Sequence, residues 1–369
     1  MAYFPELVVR CRIAAARARL FLSSSEAAAM LEKRIDHSIR TVFPDISAAA
    51  AYDLYVRHWV SMRKFALIKQ YLTSLQADEL NAFLDRYVGV EGREHLDAVV
   101  ESEAPVIFVT PHYGNFAAGC LKLIKEIGHR KTINAFYNPP LKSRTSQGFE
   151  ELFHRLGYGY HALFNDDTAV LRALRVLKRG EALTMMPDVF DITGHVLYVP
   201  FFGRLIPAMA GTALFAIKGR ANVIVGYNCP GAGLASTLKL GAPIHFERTG
   251  DLEADLPMLT AAIFSELERQ VRAAPEHWMY LPQMGDLLAD RLPVDATAHA
   301  EWMGKLDNAT RQFASVLPEW PDIMDELKSI PLDVEDRAGD EASSKIMPDS
   351  HPLTGNGQGS PTARRPLLL

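Results

Sequence analysis

Residues 104–128, APVIFVTPHYGNFAAGCLKLIKEIG, decide the fold. The run from Val106 to Val109 is short, apolar and β-branched, and it is bounded by Pro105 and Pro111, which marks a buried strand. From Phe116 the apolar residues recur at helical spacing until Gly128 stops them. Strand, exit loop and helix therefore follow in order. The loop presents His112, Gly114 and Asn115. In an open parallel sheet, ligands bind outside the carboxyl ends of the strands. Gly114 lets backbone approach closely. Asn115 suits the N-cap of the next helix, whose free N–H groups form a partially positive end. A histidine beside such an end suits a general base at a site where negative charge develops. The competing reading is a loop histidine making one structural hydrogen bond.

The same alternation continues on the C-terminal side. KTINAFY, EALTMMPD, ANVIVGYN and STLKLGAPI read as strands, while DTAVLRALRVLKRG, GTALFAIKGR and LPMLTAAIFSELERQVRAAP read as helices. Strands alternating with helices of this length imply an α/β fold, a central and mostly parallel sheet flanked by helices. On the N-terminal side, residues 1 to 90 read as a helical region. Ser23 and Glu26 have capping-box spacing, Pro44 ends that helix, and two further helical patterns follow. The expected organisation is a helical region over 1–90, an α/β domain over 91–290 and a helical extension over 291–335. Residues 336–369 read as a disordered tail, too polar and too rich in Ser, Pro and Gly to offset their ordering entropy.

The chain has 369 residues and a formal net charge of -5, which gives no reason to expect nucleic-acid binding. Its 3 cysteines are Cys11, Cys120 and Cys229; without CxxC or zinc spacing, they read as reduced, buried thiols of a cytoplasmic protein. No apolar run reaches spanning length, and Arg10, Arg12, Arg17 and Arg19 interrupt the first helix. That helix either packs on the domain with its arginines solvated, or lies peripherally at the inner membrane.

A second cluster lies in MMPDVFDITGHVLYVPFFGRLIP, residues 185–207. Asp188 follows a strand, and Asp191 comes three residues later. A carboxylate there can orient or charge-stabilise a histidine from a neighbouring strand; the plainer alternative is a turn cap. Phe201 and Phe202 read either as the wall of an apolar channel, with Met185, Met186 and Phe215, or as core. Arg144 and Arg204 suit a phosphate or carboxylate, or a plain surface ion pair. No GxGxxG after a strand, Walker A loop, GxSxG elbow or HExxH is present, so nucleotide binding and elbow-type serine hydrolysis are disfavoured.

Five blocks together resemble the late acyltransferases of lipid A biosynthesis and their relatives, including mycobacterial phosphatidylinositol mannoside acyltransferases. The blocks are VIFVTPHYGNF, YNPPLKSR with FHRLGY, LKRGEALTMMPDVFDITG, YVPFFGRLIPAMAGTALFAIKGRANVIVGY, and LERQVRAAPEHWMYLP, in the family's order over about 91–285. The resemblance implies a glycerol-phosphate acyltransferase-like fold. It also implies acyl transfer from acyl carrier protein or acyl-CoA to a hydroxyl, with His112 as base and neither metal nor bound cofactor. His112 and Asp188 match family positions, and with Asp191 and Asn115, read from the residues themselves, they are the catalytic candidates. The substrate-binding candidates are Gly114, Arg144, Phe201, Phe202, Gly203 and Arg204.

The sequence departs from the family at one decisive place. The family pattern is His, four residues, then Asp or Glu, and the residue here is Ala117. An alanine cannot accept the imidazole N–H or offset the imidazolium charge. Asp188 is the first-ranked substitute; Asp191, Asn115 or an unassisted histidine acting on an amine are the others. The basic stretch that usually follows the Pro-Glu-x-Trp motif is replaced by MYLPQMGD. Three functions stay open at this point: acyl transfer in lipid synthesis, carrier-protein-dependent acyl transfer or condensation in specialised metabolism, and a non-catalytic binder of acyl chains or carrier proteins.

Overall fold

The computed structural model describes residues 4–22, 26–137, 144–164, 168–188 and 196–287. The readings for 291–335 and 336–369, and the capping serine Ser23, lie outside them.

Strand β2 (Val106–Val109) is central, with every residue at most 3% exposed. Alternate side chains enter opposite apolar clusters: Ile107 and Val109 join one, Val106 and Phe108 the other. That two-residue period, with both faces covered, is why the run reads as continuously hydrophobic. On one side β2 pairs in parallel with β5 (Ala182–Met185), and on the other with β8 (Asn222–Pro230). The seven strands run in the order β1-β9-β8-β2-β5-β3-β4, where β1 is Val88–Glu91, β3 Ile133–Tyr137, β4 Tyr160–Phe164 and β9 Ser236–Pro243. All neighbours are parallel except β8 and β9.

Helices cover both faces. Residues of α6 (Phe116–Ile127) and α7 (Arg144–His154) join Val106 and Phe108 in one cluster. Residues of α8 (Ala169–Lys178), α9 (Gly211–Gly219) and α10 (Leu252–Ala273) join Ile107 and Val109 in the other. N-terminal helices α1 (Phe4–Leu22) and α2 (Glu26–Val42) both pack on α3 (Ala48–Ser74), and α3 contributes buried residues to both clusters. Arg10 on α1 is exposed and pairs with Glu6, four residues away. No helix among the described residues is long and apolar enough to cross a membrane.

Several elements differ from the sequence reading. Helix α4 (Ala77–Tyr87) ends before Val88, and residues 88–91 form β1 instead of continuing the helical region. A four-residue strand containing Gly89 has too little pattern to read; it exists because β9 supplies its ladder partners. Helix α5 (Arg93–Glu101) and strand β4 were also not anticipated. Residues 196–209 form a hairpin, β6 (Val196–Phe201) and β7 (Arg204–Met209), although they contain Pro200 and Pro207. Proline is tolerated here because each strand of a two-stranded ribbon has an unpaired edge. Cys11 is exposed and Cys120 and Cys229 are half-buried, correcting the expectation that all three thiols are buried. Burial pushes the Cys120 thiol up to about 12.

Candidate active site

The parallel register builds the site. Val109 lies opposite Met185, and the ladder continues when the Thr110 N–H donates to the Met185 carbonyl at 3.0 Å. Each strand then exits through a proline, Pro111 and Pro187, followed by His112 on one strand and Asp188 on the other. The two residues sit at the same distance past paired strand ends. Their side chains meet: His112 Nδ1 lies 2.8 Å from Asp188 Oδ1. Asp188 Oδ2 accepts the His112 backbone N–H at 2.7 Å and the Trp278 indole N–H at 3.0 Å. Asp188 is 1% exposed, so these donors replace the water its carboxylate has lost.

The segment after α10 locks this arrangement. The Met279 N–H donates to the His112 carbonyl at 2.9 Å, and the Gly114 N–H donates to the His277 carbonyl at 2.8 Å. Tyr113 is buried, and its hydroxyl donates to the Ala274 carbonyl at 2.9 Å. The His112 ring meets Phe116 and Tyr280 edge-on, with centroids 5.3 and 5.1 Å away. Burial and the nearby Asp188 charge push the Tyr280 phenol above its ordinary range, so it stays a neutral donor.

Gly114 has φ of 57°, a left-handed conformation that disfavours side chains. An added Cβ would also come 2.2 Å from the Asn228 carbonyl oxygen. The glycine is required by contact with β8 as well as by its conformation.

The structure brings His112, Asp188, Gly114 and Asn115 together. Asn115 occupies the N-cap of α6, but its side chain makes no capping bond, contrary to expectation. Its Oδ1 has no hydrogen-bond partner among the described residues, and Asp188, rather than Asn115, meets the His112 ring. Ala117 is wholly buried with Ala118 and Leu121, in a cluster of apolar residues. Asp191 lies outside the described residues. Arg144 begins α7 and Arg204 begins β7.

Phe201 and Phe202 are 1% and 5% exposed. Their rings pack on Trp278, with centroids 5.6 and 6.2 Å away. They are core beneath the indole and line neither of two small cavities beside the site. One of these lies between α6 and the sheet; the other lies between α3 and the α6 entry, where Lys64 donates to the Gly231 carbonyl. Phe202 and Gly203 both have positive φ, as a two-residue hairpin turn requires. A phenylalanine there is strained; Glu268 accepts its N–H and Arg272 lies over its ring, 4.7 Å from the centroid.

Sequence reading assigned no role to Trp278 or Tyr280. Their one signal was the PEHWMY block, since neither ring carries a local pattern that announces contact with residues far back in the chain.

A histidine network lies behind the loop, with His58 buried and His277 half-buried. His58 Nδ1 is 3.2 Å from the Glu276 carbonyl, and the Ser61 hydroxyl is 2.8 Å from His277 Nδ1. Arg57 pairs with the Glu276 carboxylate at 2.5 Å. Burial lowers His58 to about 4 and also lowers His277, which keeps both imidazoles neutral.

Adjacent strand exits of this α/β sheet thus bring a histidine and a carboxylate into contact at one end of the sheet. The model of the bacterial lipid A biosynthesis acyltransferases matches residues 1–284, and the chain belongs to that family. It is therefore an acyltransferase of the lipid-synthesis type. It is 23% identical over 250 residues to the phosphatidylinositol mannoside acyltransferase of Mycobacterium tuberculosis, strain H37Rv, covering 67% of this chain and 73% of that protein. The protein of the same name from strain CDC 1551 matches equally.

Proposed function

We propose that the protein moves an acyl group from a thioester, on acyl carrier protein or coenzyme A, to a hydroxyl or amine, with His112 as general base and Asp188 as its orienting partner. The observation that carries the proposal is the 2.8 Å contact between His112 Nδ1 and Asp188 Oδ1. Asp188 takes the hydrogen bond from Nδ1–H, which fixes the tautomer and leaves the Nε2 lone pair for the acceptor. Nε2 removes the acceptor proton as its oxygen or nitrogen attacks the thioester carbonyl. Asp188 stabilises the imidazolium, and the partially positive N-terminal end of α6 favours the charge developing on the carbonyl oxygen. The C–S bond then breaks, and the thiolate receives the proton from the imidazolium. The protein's own residues supply base and positioning throughout.

Ala117 was the motive for a non-catalytic reading and for unassisted amine transfer. The contact of Asp188 with the His112 ring weighs against both readings, since it offers a carboxylate from another strand. Lipid synthesis is the setting that family membership favours, so the acceptor is a lipid or its precursor and the enzyme works at a membrane surface. The test is release of free thiol from acyl-carrier-protein and acyl-CoA donors in the presence of lipid acceptors. His112→Ala should lower turnover by about 10³-fold or more without unfolding the chain. Undiminished turnover in that variant overturns the assignment.

A further inference from the structure

Trp278 is wholly buried, and its ring packs on Phe201 and Phe202. A phenylalanine could meet those two rings and would bring no polar atom. Tryptophan brings an N–H that is costly to bury unpaired. That N–H donates to Asp188 Oδ2, 3.0 Å away. Oδ2 also accepts the His112 backbone N–H at 2.7 Å, so both of its lone pairs are engaged. Oδ1 is left for the His112 ring, 2.8 Å from Nδ1. Backbone contacts hold the indole in register with the His112 loop. Tyr113 bridges to Trp278 itself, and both neighbours of Trp278 bond to that loop: the Met279 N–H donates to the His112 carbonyl, and the His277 carbonyl accepts the Gly114 N–H.

We propose that Trp278 is a positioning residue for the base: its indole N–H holds the Asp188 carboxylate against the His112 ring and disperses part of its charge, and so sets the orientation and the basicity of His112. This rests on the acyl-transfer reading above. The indole acts only through Asp188. Without it, Oδ2 keeps one donor of two, and the carboxylate is freer to turn away from Nδ1. Its charge is also less dispersed, so it draws harder on the imidazolium proton. His112 then stays protonated to higher pH and is less available as a base. The competing reading is that the indole is core support for the β6–β7 hairpin, with Asp188 as the acceptor at hand.

Trp278→Phe keeps an aromatic ring on Phe201 and Phe202 and deletes the N–H. In the thiol-release assay, kcat should fall about tenfold or more, as expected for one lost hydrogen bond to a charged group, with KM for the acyl donor unchanged. The rising limb of kcat/KM against pH should move to higher pH by about half a unit or more. A supporting ring alone would lower the melting temperature and leave that limb in place, so an unmoved limb overturns the proposal. If the variant fails to fold, the unaltered full chain decides. With ¹⁵N-labelled tryptophan, the Trp278 indole resonance should shift with pH at the same midpoint as the His112 ring, and that transition should vanish in His112→Ala. The His112→Ala control separates it from His58, His277 and Tyr280, the other ionisable rings packed nearby. An indole resonance that ignores the His112 titration overturns the proposal. The two readings fail separately. An indole that titrates with His112, in a chain that releases no thiol, would keep the coupling and remove the acyl-transfer reading. His112-dependent turnover with an unmoved limb in Trp278→Phe would do the reverse.

Discussion

Asp188 is acceptor to three donors at once: the His112 ring, the His112 backbone N–H and the Trp278 indole. Asp188→Asn keeps the shape but puts an amide NH₂ where one of those donors points, and it no longer balances an imidazolium. Turnover should fall by about 10³- to 10⁴-fold, with about 1–3 kcal/mol lost from stability. Steady-state kinetics and denaturant unfolding of the same preparation separate the two effects. Ala117 gives the complementary case. Restoring the family acid, Ala117→Asp, places a carboxylate at a wholly buried position among apolar side chains. That substitution should destabilise by about 3 kcal/mol or more and should not raise turnover; a faster, equally stable variant would show that Asp188 is the lesser partner. The sequence exposed both facts only in part. The loss of the usual acid could be read from a single letter. The carboxylate that meets the His112 ring comes from a residue 76 positions away, and no local pattern distinguishes a histidine partner from a turn cap.

At the level of elements, the β2 exit is clasped between β8 and the PEHWMY segment. Gly114→Ala should cost about 3 kcal/mol or more, because it combines a positive φ with a Cβ driven onto a β8 carbonyl oxygen. Loss of turnover should accompany the fall in melting temperature; an unshifted melting curve would mean that this approach relaxes freely. Legibility followed pattern length. Helix α6 and strands β2, β5 and β8 were readable, because each carries a run whose period and stop signals agree with its burial. Strands β1 and β4 are four and five residues long and owe their existence to neighbours, so nothing in their own sequence required them. The β6–β7 hairpin hid behind its prolines. Its phenylalanines were legible as apolar, yet whether they lined a channel or supported an indole depended on Trp278, which joins them from the far end of α10.

Across the whole molecule, buried His58 and half-buried His277 couple stability to pH. His58 titrates at about 4 when folded, against 6.5 ordinarily, so between those values the unfolded chain binds a proton that the folded chain refuses. Stability is therefore full above about pH 6.5 and declines as pH falls toward 4, by about 3 kcal/mol from His58 alone. His277 acts in the same direction. Unfolding midpoints measured from pH 7 to 4 should slope less steeply for His58→Gln than for the unaltered chain; parallel slopes would remove His58 from the account. The strand order carries a different consequence. Between the histidine and its carboxylate the chain makes an outward excursion through α6, β3, α7, β4 and α8, then returns to insert β5 against β2. Backbone pairing of β2 with β5 sets the spacing of His112 and Asp188, and the contour length of that excursion does not. Changes in the length of that excursion therefore leave untouched the strand register that brings His112 and Asp188 together.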